Sequence, residues 1–139
     1  MNSKKLIRNL LVTAAVGVGV SAIANADHRD GHVDVTVGEL SSRAEFGQKV
    51  FNGTCAECHG ENGSGSQKGP PLIHDIYNPG HHSNQSIVNA IKHGVRAHHW
   101  PYGDMPAQEK IGFAETMAVI EFIREIQVQN GVERQAHNM

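Results

Sequence analysis

Cys55-Ala56-Glu57-Cys58-His59 holds both cysteines of the chain, three positions apart, with a histidine directly after the second. On a helical turn, side chains three residues apart share a side, so both sulfurs can meet one edge of a flat ligand while His59 is carried beneath it. This is the spacing by which two thiols add to the two vinyl groups of haem and the adjacent imidazole reaches the iron. Three other chemistries use the same letters. A disulfide between Cys55 and Cys58 suits an exported protein but leaves His59 without a role. A thioredoxin-like redox pair expects a neighbouring strand-helix-strand pattern, which the sequence lacks. A zinc site expects a further Cys or His pair at finger-like spacing, and no other Cys exists.

Upstream of the motif, Ser42-x-x-Glu45 fits a capping box at a helix start. Phe46, Val50 and Phe51 follow as an apolar stripe on a helix running toward Cys55. Downstream, glycines and prolines from Gly60 to His82 predict a long loop. Loops beyond about a dozen residues are uncommon in compact domains unless they serve a site or wrap a ligand. A second helix fits Asn84 to His93, with Ile87, Val88 and Ile91 on one face and Gly94 as its stop. Val95 to Gln108 is irregular again. The longest helix fits Phe113 to Gln129, closed by Asn130-Gly131. Its Thr116, Val119, Ile120, Ile123 and Ile126 form one stripe, and Glu115, Glu121 and Glu125 fall elsewhere.

The first 26 residues read as a signal peptide: Lys4, Lys5 and Arg8, then an uncharged run of 14 residues from Leu10 to Ile23, then the small-x-small site Ala24-Asn25-Ala26. An uncleaved anchor is the weaker reading, because a hydrocarbon core needs about 20 apolar residues. Cleavage before Asp27 removes three of the 12 cations and none of the 14 acids, so the formal charge moves from −2 to −5. Neither the precursor nor the acidic remainder has the composition of a nucleic-acid binder. The expected layout of the 139 residues is a signal peptide over 1–26, a flexible N-terminal arm over 27–40, one helical domain around the Cys55–His59 motif over 41–131 and a C-terminal tail over 132–139.

A haem iron needs a sixth ligand or an open site, and Met105 is the candidate. It lies in Tyr102-Gly103-Asp104-Met105-Pro106, where its thioether can approach from outside any helix, whereas Met117 suits the packed side of the last helix. His on one side and Met on the other raises the reduction potential and closes the iron to small molecules, favouring electron transfer over oxygen activation. Ten histidines are unusual, and His81-His82, His93 and His98-His99 flank the second helix. Solvent exposure is the preferred reading for them. The alternatives are a bis-His haem with one of them in place of Met105, or copper or zinc binding by the doublets. Trp100 and Tyr102 are candidates for hydrogen bonds to the haem propionates, with plain packing as the alternative.

Gly47-Gln48-Lys49-Val50-Phe51 leading into the Cys55–His59 motif, then Gly69-Pro70-Pro71-Leu72, Met105-Pro106 and Val119-Ile120-Glu121-Phe122-Ile123, resembles class I c-type cytochromes in that order. The resemblance spans residues 43 to 128 and implies an all-α fold, four or five helices with long loops wrapped around one covalent haem c. It implies first and last helices that cross with Gly47 and Phe51 meeting Val119 and Phe122. The carbonyl of Pro70 would accept a hydrogen bond from the ring N–H of His59, and Leu72 would pack on the porphyrin. The implied cofactor-binding set is Cys55, Cys58, His59, Pro70, Leu72 and Met105, with His59 and Met105 on the metal and no catalytic residue.

The expected function is a periplasmic monohaem carrier that moves one electron between larger redox partners, a donor and an acceptor with basic docking faces. No nucleic acid and no stable membrane insertion after signal cleavage are expected. The alternatives are the cytochrome subunit of a stable oxidoreductase complex, such as a sulfite, thiosulfate or alcohol dehydrogenase, and a haem enzyme or sensor whose Met105 dissociates.

Overall fold

The helices begin and end where side chains or glycines can satisfy their free backbone groups. In a computed structural model that describes residues 31–136, helix α1 spans Ser42–Thr54, α2 Ala56–His59, α3 Asn84–His93 and α4 Phe113–Gln129. The expected signal peptide lies outside the described residues. Two 3-10 turns, Glu61–Gly63 and Asp75–Tyr77, punctuate the long loop. The described residues hold no strand, only an isolated antiparallel bridge between Val95 and Met105. The architecture is all-α, as expected.

The start of α1 differs by one residue from the capping box read in the sequence. Ser41, not Ser42, is the cap: its Oγ accepts from the Ala44 N–H at 3.2 Å. The carboxylate that completes the cap comes from α4, where Glu125 takes the Ser41 N–H at 3.0 Å and the Ser41 hydroxyl at 2.6 Å. A tertiary partner has replaced the local glutamate, and the helix register follows it. At α4, Glu115 accepts from the Gly112 N–H at 2.8 Å, and α3 is capped by Ser83, which accepts from the Ser86 N–H.

The core is the crossing of α1 and α4. Ala44, Gly47 and Phe51 are the buried residues of α1, spaced three and four apart on one face. A Cβ built on Gly47 would lie 2.0 Å from the Ala118 carbonyl oxygen and 2.9 Å from the Val119 nitrogen, so the two backbones touch there. One turn on, the Phe51 and Phe122 rings pack with centroids 5.5 Å apart. Phe46, expected on the buried stripe, is 47 % exposed, because it sits beside Gly47 in the chain and off the face that Gly47 shares with Phe51. Ile73, Ile91, Ile123, Ile126 and Val132 complete the cluster.

The two ends of the described chain, within the expected arm and tail, pack against the rest. Residues 31–40 run extended, with Val33, Val35 and Val37 half-buried against the core. The side-chain amides of α4's end stand in for a neighbouring strand. Asn130 exchanges two 2.8 Å hydrogen bonds with the Thr36 backbone, and Gln129 accepts from the Gly38 N–H at 2.7 Å. At the other end, Val132 is buried and the Gln135 N–H donates to Asn78 Oδ1 at 3.1 Å.

Gly47→Val should therefore push the two helices apart and lower stability by about 1–3 kcal/mol or more, the range for an overpacked core. Urea unfolding followed by helical circular dichroism measures it; an unchanged midpoint would contradict the backbone contact.

Candidate functional site

The turn from α1 into α2 carries the cysteine motif. The Cys55 N–H still donates to the Phe51 carbonyl at 2.7 Å, so the first thiol is set by the end of α1, and the His59 N–H donates to the Cys55 carbonyl at 2.9 Å. The following loop then folds back over the motif. Ser66 Oγ donates to the Cys58 carbonyl at 2.6 Å, and the Gly65 N–H donates to the His59 carbonyl at 2.6 Å. Gly69 lies so close that a Cβ there would be 2.9 Å from the Cys58 oxygen, and Gly65 adopts φ +87°, a left-handed conformation suited to glycine.

This wrapping brings Pro70 to His59. Its carbonyl accepts from Nδ1 at 2.9 Å, which places the ring proton on Nδ1 and leaves the lone pair on Nε2. Burial lowers the His59 pKa below the ordinary imidazole value, partly opposed by the Pro70 bond, so the ring is neutral at pH 7 and can ligate a metal. Burial, with a smaller push from Cys58, raises the Cys55 thiol to about 11, and the two sulfurs are not paired with each other. A thiol so shifted lacks the lowered pKa of a thioredoxin-type nucleophile.

Met105 sits on a different support. Val95 and Met105 exchange two 2.9 Å backbone hydrogen bonds, and the Gln108 N–H donates to the Ile91 carbonyl at 2.7 Å. Gly94, at φ +75°, ends α3 so close that a Cβ on it would lie 2.4 Å from the Met105 carbonyl oxygen. Asp104 accepts from the Ala97 N–H at 2.9 Å. The segment bearing Met105 is thus stitched to the C-terminal end of α3, and among the described residues no hydrogen bond joins Met105 to the Cys55–Leu72 segment.

Leu72 is half-buried at the edge of the core, with its N–H on the Gly63 carbonyl at 2.8 Å. The Tyr102 hydroxyl crowds Gly31, where a Cβ would be 2.1 Å from it. Burial pushes the Tyr77 phenol up to about 12, an effect the neighbouring Trp100 indole partly offsets. Trp100 itself is buried, its indole beside the Tyr77 phenol but with Nε1 outside hydrogen-bond geometry.

Two residues of α4 that position this region were not singled out in the sequence. Gln127, 1 % exposed, donates to the carbonyls of Leu72 at 2.9 Å and Tyr77 at 3.1 Å. Arg124 donates to the Tyr77 carbonyl at 2.8 Å, to Asn84 Oδ1 at 2.9 Å and to the His82 carbonyl. Together they fasten the second half of the long loop to α4. The first half is held by Asn62, at φ +55°, whose Oδ1 accepts from Gln48 and Asn52 at 3.0 Å each. For Gln127 a signal was present: it follows Ile123 by four residues, so it lies on the buried stripe, where a polar side chain must find partners.

The four doublet histidines stand together on one side of the molecule, whereas His93 is exposed at the end of α3. His81 and His99 are exposed and His82 is half-buried. His82 and His99 have pKa values lowered from the usual imidazole value, each first by burial; the other imidazoles add to it, and a hydrogen bond to Ile76 opposes it at His82.

The donors present fit a covalently held haem. Two thiols and a neutral imidazole are presented from one turn, and elsewhere a buried indole N–H has no hydrogen-bond partner among the described residues. The family model for Cytochrome c matches residues 44–127. Comparison with curated proteins finds no match.

Two outcomes follow from this geometry. Gly94→Val places a branched side chain at positive φ and into the Met105 carbonyl, so amide exchange at Val95 and Met105 should quicken at least tenfold while the α1 amides stay protected. Because His82 has a lowered pKa in the fold, the unfolded chain binds the extra proton below the usual imidazole value, and stability falls as pH drops from 7 toward 5. In chelator-containing buffer, His82→Asn should make that fall shallower in thermal melts; an identical slope would rule His82 out as a contributor.

Proposed function

Since the chain belongs to the cytochrome c family, a group of haem-based electron-transfer proteins, we propose that it is an exported monohaem carrier held at high potential by His59 and Met105. The single observation that supports this most is the His59 Nδ1 to Pro70 carbonyl bond, which orients a neutral imidazole with Nε2 available for iron. Cys55 and Cys58 would hold the porphyrin through thioethers, and His59 and Met105 would ligate the iron. When bound, haem supplies the one-electron iron couple, and the polypeptide tunes and insulates it.

Each surrounding residue has a defined task in this reading. The Ser66, Gly65 and Gly69 contacts keep the motif from fraying, so His59 cannot rotate away from its Pro70 partner. The bridge between Val95 and Met105 braces the weaker thioether ligand against dissociation. The Trp100 N–H is the donor matched to a haem carboxylate, and Leu72 supplies apolar contact for the ring. No side chain is assigned to transform a substrate.

Export to the periplasm rests on the signal-like segment, and the partner proposal rests on charge. Among the described residues only two carboxylates form ion pairs, Glu57 with Lys68 at 3.0 Å and Glu121 with Arg43 at 3.4 Å. Most acidic side chains are thus unneutralised by a lysine or arginine, a surface suited to a redox protein with a basic docking face.

Matured in cells with a haem-attachment system, the protein should gain the mass of one haem and show, when ferric, the weak far-red band of methionine-ligated iron. Met105→Ala should abolish that band, lower the midpoint potential and let the reduced form bind carbon monoxide. Persistence of the band in the variant would remove Met105 from the iron. Electron transfer to a basic redox protein should slow about tenfold or more as salt rises from low to high ionic strength; salt-independent rates would rule out the charged docking face.

A further inference from the structure

Although 18 residues separate His81 from His99 in sequence, their Nε2 atoms lie 3.3 Å apart. One ring nitrogen from each of His81, His82 and His99 lies within 4.8 Å of the other two. Two nitrogens bound to one tetrahedral cation at about 2.0–2.1 Å are about 3.3–3.4 Å from each other, so the His81 and His99 pair already has the bite of a chelate. His82 is oriented by its backbone: Nδ1 donates to the Ile76 carbonyl at 2.7 Å, which leaves Nε2 with its lone pair. An imidazole whose second nitrogen is held by a carbonyl is the usual arrangement of a metal-bound histidine. His98 flanks the group, its ring centroid 4.2 Å from that of His99 and its own Nδ1 on the Arg96 carbonyl at 2.8 Å.

We propose that His81, His82 and His99 form a three-imidazole site for a late first-row divalent cation, Cu(II) ahead of Zn(II). Imidazole suits both ions, and their order follows the general affinity series for nitrogen ligands. The fourth position is left to solvent or to a small ligand. The site shares no residue with the cysteine motif and needs no electron transfer. A cation held there would tie the loop before α3 to the segment that carries Trp100 and Met105, bridging both ends of α3.

The test uses the full-length ferric haem protein without a polyhistidine tag, titrated with Cu(II) and separately with Zn(II) against a competing chelator. One equivalent of Cu(II) should bind, about tenfold or more tighter than Zn(II), and paramagnetic resonance of the copper-loaded protein should show coupling to several imidazole nitrogens. His81→Ala and His99→Ala should each weaken Cu(II) binding at least tenfold while leaving the haem spectrum unchanged, and His93→Ala should have no effect. Absence of a stoichiometric site, binding of Zn(II) alone, or equal Cu(II) affinity in all variants would overturn the proposal, the last by placing the ion on other histidines or on the chain terminus.

Discussion

The contact between Gly47 and the Ala118 carbonyl is the constraint from which the rest of the molecule follows. A helix pair can approach to backbone contact only where one member has no side chain, and that approach lets the Phe51 and Phe122 rings pack, tilted by 51°, one turn later. Phe51 in turn holds the Cys55 amide through its carbonyl. The position of the first thiol is thus a direct consequence of how closely two helices pass.

From that fixed point the chain builds its site with loops, and it braces the loops from two directions. Asn62, Ser66, Gly65 and Gly69 close the first half of the long loop over the cysteine motif and deliver the Pro70 carbonyl to His59. Arg124 and Gln127 draw the second half onto α4 by donating to backbone carbonyls. The Met105 segment is attached to α3 instead. His59 and Met105, the proposed iron ligands, are thus held by separate sets of hydrogen bonds.

The docked termini enlarge the same design. The extended segment before α1 has no strand to pair with, yet Gln129 and Asn130 satisfy its backbone through their amides. Its alternating valines cover a flank of the core that two crossing helices leave open. The histidine face arises from the same economy of support, since Arg124 and the Ile76 carbonyl position His82 while holding the loop.

Helices α3 and α4 were legible in the sequence to the residue, because strong periodicity and the stops at Gly94 and Asn130-Gly131 are local signals. The family was legible for the same reason: the residue types and short spacing of the cysteine motif resembled the family whose model matches residues 44–127. Tertiary structure alone decided the cap at Ser41, the exposure of Phe46, the docking of both ends, the hydrogen-bond partners of Arg124 and Gln127 and the meeting of His81 with His99. Each of these depends on partners 18 or more residues away, or on which face of a helix is covered, and a linear pattern carries no information about what folds back against it.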